Sequence, residues 1–154
     1  SLIALATFRL GTHLREEKDQ QRLKVRHQSR WCLYQIRVYG DEQVQQELVR
    51  QGYGRVICIS FCTAGGVGEE QNQMIRYGLS YISDFLKDLH EGRNWYPSFQ
   101  PLPLLIRKTE EQIEEEGASE EIDAQINNKG YYGGINAFAN SAKATTLNRF
   151  IHNN

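Results

Sequence analysis

The chain has 154 residues, enough for one domain of ordinary size to bury a core without disulfides or metal. Its 18 Lys and Arg stand against 19 Asp and Glu, giving a formal net charge of −1, so no bulk field draws it to nucleic acid or to an anionic membrane. The charge is unevenly placed: residues 1–38 hold eight Lys/Arg against three acids, whereas 109–125 hold eight acids and no base.

The first 96 residues contain no proline, and nothing in them alternates as a half-buried strand would. A helix is expected over 2–14, and a long one over 16–39 with Leu23, Val25, Trp31, Cys32, Leu33 and Ile36 as its apolar positions. Gly40-Asp41 reads as a stop and a new start: Gly permits a left-handed C-terminal residue, and the Asp carboxylate caps the next helix. Helix 42–51 follows, with Val44 and Leu48 on one stripe. Gly52-Tyr53-Gly54 breaks it, and 54–62, apolar nearly throughout, reads as a buried helix. After the Gly65-Gly66-Val67-Gly68 loop, a helix is expected over about 69–90, ending near Gly92.

Pro97, Pro101 and Pro103 then force an extended stretch in which Trp95, Tyr96, Phe99, Leu102, Leu104 and Leu105 need a surface to cover. An acidic helix is expected over 106–117 with Thr109 as a start, and another over 119–127 with Ser119 as its N-cap. Past the glycine-rich 130–134, a final helix over 135–151 would use Phe138, Ala142, Leu147, Phe150 and Ile151 as its apolar positions. The division expected is 1–93 helical repeats, 94–105 an extended linker or arm, and 106–154 acidic helices and a C-terminal tail.

One internal similarity organises the first part. Arg30-Trp31-Cys32-Leu33-Tyr34-Gln35-Ile36 matches Arg76-Tyr77-Gly78-Leu79-Ser80-Tyr81-Ile82 at an offset of 46 residues. Trp31 to Ile36, the Gly40-Asp41 turn, Gln46-Glu47-Leu48-Val49-Arg50-Gln51-Gly52 and Arg55-Val56-Ile57-Cys58-Ile59 together resemble the armadillo (and HEAT-like) repeat family. In that likeness 29–63 runs from the third helix of one repeat through the first two helices of the next, and 69–86 resembles the third helix of that second unit. The resemblance covers about residues 29–90 and departs from the pattern at the overlong helix before Trp31 and after Pro97. It implies an all-α fold, an armadillo-like α-solenoid fragment of about two repeats, with an extended proline-containing segment and a partly irregular tail. It also implies that the first two helices meet nearly at a right angle at Gly52, and that third helices line a concave face that holds other proteins.

The residues themselves offer little chemistry. His13, His27, His90 and His152 are scattered, the 110–121 glutamates lack the spacing of a calcium loop, and the Gly65–Gly68 run lacks a phosphate-loop context. No catalytic residue, cofactor or metal is expected. Cys32, Cys58 and Cys62, an odd number without framework spacing, read as core thiols of an intracellular reducing compartment, cytoplasm or mitochondrial matrix. No run reaches the roughly 20 apolar residues that span a bilayer. The absence of an initiating Met suits a processed protein or a piece of a longer one.

The expected function is a non-catalytic scaffold or accessory subunit of a larger assembly; the alternative is an adaptor whose concave face binds a linear peptide. Partners are other protein subunits, with no nucleic acid and no small-molecule substrate. By resemblance, Arg30, Tyr34, Gln35, Arg37, Arg76, Tyr81 and Asp84 are groove candidates, Trp31 and Tyr77, at matching positions, read as inter-repeat core or as groove, and the arm contributes Trp95, Phe99 and Leu104. Arg and aromatic side chains are also the types enriched where interfaces concentrate their energy.

Overall fold

The computed structural model describes residues 1–7, 16–62, 69–127 and 134–147. It is all-α: α1 Leu2–Thr7, α2 Glu16–Tyr39, α3 Glu42–Arg50, α4 Tyr53–Cys62, α5 Glu69–Glu91, α6 Pro103–Glu115, α7 Ala118–Ile126 and α8 Ile135–Leu147. No strand occurs among the described residues; one isolated antiparallel bridge pairs Arg93 with Phe99. The expected helices end much where glycine and aspartate placed them. The far end of the first helix, the Gly65–Gly68 loop, the glycine run 130–133, Phe150, Ile151, His13 and His152 lie outside the described residues.

The core forms around α5. Ile75, Leu79, Ile82, Leu86 and Leu89 recur at helical spacing with Phe85 beside them, and all are buried. α4 packs on one side of α5, buried along most of its length through Tyr53, Val56, Ile57, Cys58 and Phe61. α8 covers another side, while α6 bears on both α4 and α5. Ile106, Ile113, Ile122, Ile135, Ala139 and Ala142, all beyond the prolines, join the same buried cluster as Leu33 and Leu48. The chain after Pro97 therefore caps the helical layer and shares its core.

Gly40 has no positive φ, contrary to the left-handed stop expected of it. It is required by crowding: a Cβ there would overlap the Val44 side chain and lie 2.6 Å from the Ile36 carbonyl oxygen. Asp41 does cap α3, its Oδ1 accepting from the Val44 amide at 3.1 Å. The carbonyls that α2 leaves open at its end are claimed from outside the helix. Gln45 Nε2 donates to Arg37 O at 2.8 Å and Gly40 O at 3.0 Å. The Arg93 guanidinium donates to the carbonyls of Arg37, Val38 and Gly40.

Two starts differ from expectation. α6 begins at Pro103, because a proline in the first turn costs no hydrogen bond. Thr109 is accordingly not a start; it is wholly buried inside α6, its hydroxyl donating to Leu105 O at 2.8 Å. α7 follows Gly117, at φ +68°, and Ser119 is a helical residue rather than its N-cap.

The α3–α4 junction turns on Gly52, whose φ is +85°. Nothing lies within 4 Å of where its Cβ would be, so only backbone strain opposes a side chain there. Gly52→Val is expected to cost about 1–3 kcal/mol in urea denaturation. A midpoint equal to wild type would mean that this junction does not hold a left-handed residue.

Candidate functional site: an aromatic groove between α2 and α5

The most developed surface feature lies between α2 and α5. Tyr34 faces Tyr81 and Arg37 faces Asp88, so the numbering rises together along the two helices. Four rings stack in sequence across the gap. Trp31 and Tyr34 lie 5.5 Å apart, Tyr34 and Tyr81 4.3 Å, and Tyr81 and Tyr77 6.1 Å, with interplanar angles of 12–25°. Arg37 covers the Tyr34 ring at 5.2 Å. The outer rings remain accessible, Trp31 being 47% and Tyr77 42% exposed, while Tyr34 and Tyr81 are half-buried. Burial, with help from neighbouring Tyr34, pushes the Tyr81 hydroxyl up to about 12, so it stays a neutral donor across the physiological range.

Beside this ladder lies a shallow groove open to solvent, bounded by Arg30, Tyr53, Ile57, Met74, Tyr77 and Tyr81 among others. Two polar groups in its lining lack the partners that buried groups need. Arg30 is only 8% exposed, and its Nε, Nη1 and Nη2 find no hydrogen-bond partner among the described residues. The Tyr53 hydroxyl is equally buried and equally unpartnered there. Each such group costs about 1–3 kcal/mol, and a buried unpaired cation costs more. Burial first, and then the like charge of Arg26, bring the Arg30 guanidinium down to about 10. Burial holds the Tyr53 hydroxyl well above its ordinary range.

The sequence candidates separate into three groups. Arg30, Tyr34 and Tyr81 come together with Trp31, Tyr77 and Arg37. Arg76, the repeat counterpart of Arg30, is exposed and lies over the Phe138 ring of α8 at 5.3 Å. Gln35 is half-buried on α2, and Asp84 is exposed on α5. The arm residues lie elsewhere. Phe99 is buried by this chain itself, its backbone paired both ways with Arg93 at 2.7 and 3.0 Å, and the Leu102 amide donates to Leu89 O at 2.9 Å. The segment is thus docked on the end of α5, a correction to the free arm expected for Phe99. Trp95 remains half exposed under Arg93, and Leu104 is 77% exposed.

The sequence reading missed Arg26, Tyr53 and Met74. Tyr53 had a usable signal, an aromatic between two glycines at a helix junction. Of the cysteines, Cys58 is buried and Cys62 half-buried, as core thiols should be, but Cys32 is exposed on α2. Burial raises the Cys58 thiol strongly and the Cys62 thiol to about 11, leaving both as thiols at neutral pH. Among the described residues no three His, Cys, Asp or Glu side chains converge as metal ligands, and no helix is long and apolar enough to cross a membrane. No protein-family model matches the chain, and neither does any curated protein or solved structure.

Proposed function

We propose that this chain is a non-catalytic protein-binding module of a larger assembly, and that it holds an extended peptide segment of its partner between α2 and α5. The observation that carries this reading is the four-ring ladder from Trp31 to Tyr77, half open to solvent on two helices running the same way. Stacked aromatic faces offer large, rigid contact area at little cost in side-chain entropy. The order α2–α3–α4–α5 also follows the sequence of helices that the armadillo-like resemblance implies, in which α2 and α5 would be the third helices of successive repeats. Binding by the concave face of such a fragment is the adaptor form of the proposal.

A permanent-subunit form draws on a different observation. Val25, Ile36 and Tyr39 are exposed on α2, and Tyr96 is 92% exposed. Size-exclusion chromatography with light scattering separates the two forms: an adaptor runs as a soluble monomer, whereas a permanent subunit self-associates when isolated.

The groove reading has a direct spectroscopic test. The chain has two tryptophans, so Trp95→Phe leaves Trp31 as the sole indole reporter. A panel of extended peptides should contain members that shift Trp31 emission at micromolar concentration. Tyr77→Ser, at an exposed ring, should weaken those peptides at least tenfold while leaving the melting temperature within about 1–2 °C. If no peptide moves the emission, or if Tyr77→Ser binds as well as its parent, the groove is not the contact surface.

A further inference from the structure

We propose that Arg30, assisted by the Tyr53 hydroxyl in the same groove, seats the carboxylate of an Asp or Glu side chain in the bound peptide. This rests on the peptide-binding reading above and names what that peptide must carry. The chain's treatment of its other two buried arginines among the described residues sets the contrast. Arg37 donates to Asp88 Oδ2 at 2.9 Å, and Arg93 is bonded to four carbonyl oxygens. Arg30 is as buried as they are but has neither a carboxylate nor a carbonyl among the described residues. Its charged neighbour is a second cation, Arg26, one turn earlier on α2, whose Nε is also buried and unpartnered. A groove lined by one guanidinium with no partner on any of its nitrogens and by an unpartnered phenol, with the orphaned Nε of a second arginine one turn away, is short of an acceptor with negative charge.

The planar fork of a guanidinium matches a carboxylate through two parallel hydrogen bonds, and the dry aromatic surroundings strengthen that match. The lining runs from His27 and Met74 at one end to Leu33 and Tyr81 at the other. Two turns of helix is about 10 Å, the length of roughly three extended residues, so a chain can pass Arg30 in both directions. An internal acidic side chain fits this better than a chain end.

The test uses the full chain with Trp95→Phe and three probes read by Trp31 emission. The first is a blocked peptide, acetyl-Leu-Glu-Phe-amide, the second its Gln counterpart, and the third acetyl-Leu-Gln-Phe with a free C-terminal carboxylate. The Glu peptide should bind about tenfold or more tighter than the other two, and Arg30→Met should erase that preference. In the absence of peptide, Arg30→Met should raise the melting temperature by roughly 3 °C or more, since it removes an unpaired buried charge. A structural arginine would instead lower it. Equal binding of the Glu and Gln peptides overturns the carboxylate seat and leaves the groove's role in peptide binding standing. Selection of the free-acid peptide overturns the side-chain assignment in favour of a chain end. Failure of all three to bind overturns the proposal whatever the melting temperature does, and if the broader panel also leaves Trp31 unmoved, the groove reading falls with it.

Discussion

Replacing Arg93 with methionine is expected to destabilise the fold by about 3–5 kcal/mol, measured as a shift in urea midpoint at unchanged slope. The reason lies in how many ends this one side chain joins. Its guanidinium, 1% exposed, donates to Arg37, Val38 and Gly40 at the close of α2 and to Pro97 at 2.8 Å, and lies 3.9 Å from Asp88. It is also sandwiched by Trp95 at 4.3 Å and Phe99 at 4.6 Å. Methionine keeps most of the volume and none of the donors, so the Val38 and Pro97 carbonyls lose this donor, those of Arg37 and Gly40 keep only Gln45, and Asp88 keeps only Arg37. A loss below about 1 kcal/mol would show that the turn after α5 does not depend on this clasp.

Phe85→Ala should have a comparable effect, about 3–5 kcal/mol, through a different cause. Phe85 is fully buried on α5, and its ring meets Tyr53 edge to face, 4.9 Å apart at 87°. Truncation leaves a cavity at the α4–α5 contact and frees the ring that carries an unpartnered hydroxyl into the groove. The variant should therefore lose stability and, where it still folds, weaken every peptide that Trp31 reports. Phe85→Leu, which refills part of the space, should recover more than half of the stability. An alanine variant as stable as wild type would remove α5 from the centre of the core.

Much of the helical layout can be read from the residues because a few of them act locally. Asp41 caps within three residues of itself, and Gly52 takes a backbone angle that other residues resist. Gly40 was placed at the right boundary for a different cause, since the collision with Val44 depends on how closely α3 follows α2. The α6 start was missed because proline both ends the extended stretch and opens the helix, and the local pattern does not choose between them. The groove candidates Arg30, Tyr34 and Tyr81 came from the family resemblance, and Trp31 and Tyr77, which the 46-residue offset matches and which read as core or groove, lie exposed at the mouth. The same offset failed for Arg76, whose surroundings are set by α8, a helix outside the repeat. Burial of Arg30 without a partner rests on a missing contact, the reach of Arg93 to Gly40 on one 53 residues apart, and the docking of Phe99 on a turn back to Arg93, none of which periodicity encodes.

The ion pair between Arg37 and Asp88 joins α2 to α5 at one end of the ladder. With that end pinned, any widening of the gap is a tilt about the pin, and Arg30 sits seven residues, about 10 Å, along the lever. A displacement of about 1 Å at Arg30 then asks for only about 6° of rotation, and Tyr34, three residues from the pivot, moves about half as far. The two outer rings, Trp31 and Tyr77, would travel with the jaws, so an occupant's girth would be converted into an angle between helices.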